Sequence, residues 1–73
     1  MAFQVVKIVF PDRVRYGIYW SYSGKILDWV DLDSLLEKRD LPKEIAEQLG
    51  CDGTALLSTD REANLVKEAL ERS

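Results

Sequence analysis

VRYGIYWSY, residues 14–22, places Val14, Tyr16, Ile18, Trp20 and Tyr22 at even positions and Arg15, Gly17, Tyr19 and Ser21 at odd ones. A period of two with one apolar side marks a strand with one buried face, and this stretch reads as the central strand of a sheet. Upstream, Phe3 to Phe10 is rich in β-branched and aromatic residues until Pro11-Asp12 interrupts it with turn chemistry. The two runs form a hairpin. Parity argues its register. A three-residue loop, Pro11 to Arg13, sets Phe10 opposite Val14, Ile8 opposite Tyr16, Val6 opposite Ile18 and Gln4 opposite Trp20, so that one face is nearly all apolar. A two-residue loop sets Arg13 and Arg15 beside Phe10 and Ile8 instead, and burying that face would bury charge.

Downstream, Ser23-Gly24 reads as a two-residue turn in which Gly24 supplies a positive φ. A third strand follows, with Leu27 opposite Trp20 and Trp29 opposite Ile18, on the same side as the hairpin's apolar set. The other side then carries Phe3, Val5, Val9, Tyr19, Ile26 and Val30, interrupted by Lys7, Arg15, Ser21 and Asp28. It is more apolar than a fully solvated face needs to be.

From Asp31 the period changes to that of short helices. Asp31 or Asp33 reads as the N-cap of one that brings Leu32, Leu35 and Leu36 to one side and ends near Asp40. A second starts around Pro42 and runs through Ile45, Ala46 and Leu49 to Gly50. Residues 54–58 read as a short extended segment, because Thr59 and Glu62 form a capping box that starts the last helix at about Asp60. That helix gathers Ala63, Leu65, Val66, Ala69 and Leu70 on one side. The expected architecture is α+β: a three-stranded antiparallel meander, with room for a short fourth strand, packed on one face by two to three helices.

The chain has 73 residues, 47% hydrophobic and 32% charged, which is one small globular domain spanning 1–73. A chain of this size buries only about 60% of the surface it exposes on unfolding, and a single core then supplies roughly 3 to 5 kcal/mol. Association is the natural supplement, so a protein partner, and first of all a homodimer, is expected. Cys51 is the single cysteine, no intrachain disulfide can form, and a reduced thiol points to the cytoplasm. No apolar run approaches the roughly 20 residues of a membrane span, and no signal-peptide pattern opens the chain, so no membrane partner is expected. Residues 1–30 carry Lys7, Arg13, Arg15 and Lys25 against Asp12 and Asp28. The remainder is acidic and brings the total to −3.

Parts for catalysis are few. There is no histidine, and Cys51 therefore has no imidazole to activate it. Gly50 and Gly53 lack the downstream lysine and hydroxyl of a phosphate loop. The domain is expected to be no enzyme and to take no cofactor. Asp28, Asp31 and Asp33, with Glu37 nearby, are the one acidic cluster. A calcium loop would also need its glycine and terminal glutamate, so helix capping is the simpler reading and no metal site is expected.

The spacing of Ile45, Ala46, Leu49, Gly50 and Leu56 resembles the helix-turn-helix motif of DNA-binding regulators. The resemblance implies a DNA-binding regulator using residues 42–60, with Asp52, Gly53, Thr54, Ala55 and Ser58 toward DNA and Arg61 beside them. None of the five is Arg, Lys, Asn or Gln, and the surrounding half is acidic, which opposes a polyanion. Tyr19 and Phe3 near Arg15 and Lys7 form a second conceivable nucleic-acid surface, by base stacking. The favoured expectation is a small accessory or regulatory protein-interaction module. Its interface is Phe3, Val5, Val9, Arg15, Tyr19, Ile26 and Val30, aliphatic and aromatic residues rimmed by cations.

Overall fold

The computed structural model describes residues 2–36, 41–48 and 54–72. It is an α+β domain with strands β1 (Phe3–Val9), β2 (Val14–Trp20) and β3 (Lys25–Ile26) followed by helices α1 (Trp29–Leu35), α2 (Lys43–Gln48) and α3 (Asp60–Arg72). The sheet is an antiparallel meander in the order β1-β2-β3, and α3 packs against β1 and β2.

The hairpin register differs by one residue from the three-residue loop expected. Val9 stands opposite Val14, Ile8 opposite Arg15, Lys7 opposite Tyr16, Val5 opposite Ile18 and Phe3 opposite Trp20. The Phe10 N–H donates to the Arg13 carbonyl at 2.8 Å, closing a two-residue Pro11-Asp12 loop. That loop uses no left-handed residue; Pro11 fixes the negative φ of its first corner, and the Arg13 guanidinium lies 5.4 Å from the Phe10 ring centre. The objection to this register was buried charge, and the fold meets it by burying the other side. Phe3, Val5, Tyr16, Ile18 and Trp20 face the helices, while Arg15 stays on the opposite side, half-buried, with its guanidinium donating to the Val14 carbonyl.

The second turn, unlike the first, is longer than expected. Residues 21–24 form it, with Gly24 at φ 71°, and Leu27 comes opposite Ile18 through an N–H to carbonyl bond of 2.8 Å. This shift is by two residues, so Leu27 keeps the side expected for it. Trp29 lies not in a strand but in the first turn of α1. The cap of that helix is Asp28, not Asp31 or Asp33: the Asp31 N–H donates to Asp28 Oδ1 at 2.9 Å and the Asp28 N–H to Asp31 Oδ2 at 3.1 Å, a reciprocal capping box.

β2 is partnered along both edges from Tyr16 onward. Its odd residues bond to β1, and its even ones are shared: Trp20 and Ile18 pair with β3 and Leu27, while Tyr16 exchanges both backbone bonds with Leu57, at 2.9 and 2.8 Å. Residues 54–58 are not helical, in keeping with the Thr59 cap; Ser58 is a bend, and the fourth strand is reduced to the one bridge at Leu57. Thr59 Oγ1 accepts from the Glu62 N–H and donates to Glu62 Oε1, opening α3. Ala63, Val66, Ala69 and Leu70 then bury one stripe of that helix against the sheet. The core joins them to Ile18, Leu27, Leu32, Leu36, Ile45, Ala55 and Leu57. Pro42 opens α2 as expected, its carbonyl accepting from the Ile45 and Ala46 N–H groups; the Leu49-Gly50 end and Cys51 lie outside the described residues.

Candidate interaction surface

The second side of the sheet is built from alternation. In β1, Gln4, Val6 and Ile8 point away from the helices, and in β2, Arg15, Gly17 and Tyr19 do, with Ile26 of β3 beside Tyr19. Leu56 joins them, because Ala55 and Leu57 on either side of it turn into the core. The centre of this surface is Gly17. A Cβ there would stand 2.9 Å from Ile26 Cγ2, 3.1 Å from Leu56 Cδ2 and 3.4 Å from Ile8 Cδ1, so three aliphatic side chains from three segments close over a position that has none. Gly17 is buried beneath them. The covering chains are not: Val6, Ile8, Tyr19 and Leu56 are half-buried and Ile26 is 40% exposed. No described residue of this surface belongs to the buried core.

The expected interface is therefore split. Arg15, Tyr19 and Ile26 lie together on this side as expected. Phe3 and Val5 do not: the one-residue register shift turns them to the helix side, where they pack against the core and the Phe3 ring stacks on Trp20 with centroids 5.8 Å apart. Val9 shares their parity but is 72% exposed at the hairpin end, and Val30 is exposed on α1. The base-stacking pair of Tyr19 and Phe3 is separated onto opposite sides by the same shift. Val6, Ile8, Gly17 and Leu56 are the members that the expected register missed. The signal for them was in the two-residue loop, which puts Ile8 and Val6 beside Arg15 and Gly17.

The remaining candidates fall elsewhere. Of the helix-turn-helix set, Ala55 is 1% exposed inside the core, Thr54 is half-buried and Ser58 and Arg61 are exposed. A recognition helix through 54–58 is not present, since this segment is not helical and α3 begins only at Asp60. Arg61 lines an open cleft of about 540 Å³ between the starts of α2 and α3, with Pro42, Glu44, Ile45, Thr59, Glu62 and Leu65. The two carboxylates beside its one cation make it a poor cradle for phosphate.

The aspartate cluster is occupied by capping. Asp31 Oδ2 also meets Lys25 Nζ at 3.2 Å, and the Asp28 N–H, followed by the lysine, holds the Asp31 carboxyl below the usual carboxylate range. Among the described residues no group of three potential ligands converges on a metal position, and no helix is long and apolar enough to cross a membrane. Comparison with protein-family models, curated proteins and solved structures returns no match to this chain.

Proposed function

We infer that this domain is a non-enzymatic interaction module of the cytoplasm that works by self-association through the uncovered side of its sheet. The supporting observation is the set over Gly17: Val6, Ile8, Tyr19 and Leu56, half-buried, and Ile26, exposed, form an apolar surface on the side of the sheet away from the described helices, with Arg15 at its rim. An apolar patch rimmed by a cation has the composition of an interface core, and a chain this short gains proportionately more from covering it. A single cysteine suits a reducing compartment.

Light scattering across a range of concentrations, on the native chain and on Tyr19→Glu, tests this reading. Mass that rises with concentration, and a rise that the glutamate suppresses, support it. A native chain that remains a monomer at millimolar concentration rejects it.

A further inference from the structure

The strand that borders the uncovered side also has an open edge, and its hydrogen-bond parity is fixed. The Ser21 N–H donates to the Ala2 carbonyl and the Phe10 N–H to the Arg13 carbonyl, so the even residues of β1 bond to β2. In an antiparallel pair the bonded residues alternate, which leaves the N–H and C=O groups of Phe3, Val5, Lys7 and Val9 directed away from the sheet. β1 is terminal in the strand order, and among the described residues nothing accepts from or donates to these groups. Seven residues of open, mostly aliphatic edge are a template for another strand.

We propose that the occupant is β1 of a second copy, paired antiparallel about a two-fold axis at Val6, giving a continuous six-stranded sheet. This rests on the self-association argued above and adds its geometry. The outward residues are symmetric about Val6, so one register sets Phe3 opposite the partner's Val9 and Val5 opposite the partner's Lys7, and every outward group finds a bond. The neighbouring two-fold registers pair less of the strand: one sets Lys7 against the partner's Lys7, and the other carries Val9 past the end of the partner's β1. In the chosen register the exposed Val9 packs against the partner's Phe3, whose ring already stacks on Trp20. On the other side Val6 meets the partner's Val6, so the two apolar surfaces over Gly17 become one. A second copy, unlike an arbitrary peptide bonded to the same edge, also brings its own apolar surface over Gly17 to the axis.

The axis makes a sharp test. Val6 and the partner's Val6 form a non-hydrogen-bonded pair with Cα atoms about 4.5 Å apart, within disulfide reach. Val6→Cys in a Cys51→Ser background, which removes the chain's single native cysteine, is expected to cross-link to a covalent dimer under mild oxidation. Gln4→Cys in that background is expected to cross-link at least tenfold more slowly, although Gln4 is the more exposed position, because it lies opposite the partner's Ile8. Lys7→Pro removes one outward donor and no bond to β2, and is expected to be folded and monomeric. If the native chain associates while Val6→Cys fails to cross-link faster than Gln4→Cys, edge pairing is wrong and face-to-face association survives. If the native chain never associates, both fall. Should Lys7→Pro fail to fold, the cysteine pair decides alone.

Discussion

Gly17 and Ile26 approach so closely across the uncovered side of the sheet that a methyl group on Gly17 would lie 2.9 Å from Ile26 Cγ2. The branched carbon that carries Cγ2 cannot swing this methyl aside without turning the whole side chain about its first torsion. Gly17→Ala is therefore expected to destabilise the domain by on the order of 1 kcal/mol, overpacking outweighing the lost chain entropy of glycine. The denaturant midpoint measures it, and an unchanged or higher midpoint would show that Ile26 and Leu56 move aside freely.

Leu57 closes the sheet twice, through its backbone bonds to Tyr16 and through a fully buried side chain. Leu57→Ala leaves the bridge but opens a cavity, at roughly 2 to 5 kcal/mol. In a domain whose core supplies roughly 3 to 5 kcal/mol, the expected outcome is a largely unfolded monomer, visible as lost near-ultraviolet dichroism and collapsed amide dispersion.

Asp28, which caps α1, and Asp33, which does not, make a discriminating pair. Asp28→Ala removes the acceptor of the Asp31 N–H and is expected to lower stability by about 1 kcal/mol. Asp33→Ala, exposed and outside the capping box, is expected to stay within about 0.5 kcal/mol of the native chain. Thermal melts of both report the difference, and equal effects would contradict the assignment of Asp28.

Acidification acts through Asp31. Its carboxyl is held below its ordinary value of 3.8, first by the Asp28 N–H and then by Lys25, so near that value the unfolded chain takes up a proton more readily than the folded one. The contribution is whole above the unfolded value and is lost as pH falls through the lower, folded one. The melting temperature of the native chain is expected to fall toward that of Asp31→Asn across this acid range. A gap between the two that does not narrow on acidification would contradict it.

How far the fold was legible depended on which residues carried more than one signal. β2 announced itself by alternation, and α3 by the Thr59–Glu62 box together with an apolar stripe; both stand where the pattern put them. Leu27 kept its side because an error of two residues preserves parity. The first hairpin did not, because its register rested on one assumption, that the side of β1 holding Val6, Ile8 and Phe10 must face the helices. Both sides of FQVVKIV hold enough aliphatic surface to be the inner one. The choice was made by packing with residues far along the chain, Val66 and Leu70 among them, and by a turn that Pro11 closes without a left-handed residue. Three of the seven interface residues, Phe3, Val5 and Val9, followed that error to the other side. Leu56 could not have been added from sequence, since its position depends on the Tyr16–Leu57 bridge, a pairing across 41 positions with no local signature.

Association along β1 is measured most directly by amide hydrogen exchange, read residue by residue at low and at millimolar protein concentration. The inward amides of Gln4, Val6 and Ile8 are expected to be protected at both. Those of Phe3, Val5, Lys7 and Val9 are expected to exchange fast in dilute solution and to slow at least tenfold as the chain is concentrated. Outward amides that exchange equally fast at both concentrations would contradict the pairing of β1 with its copy.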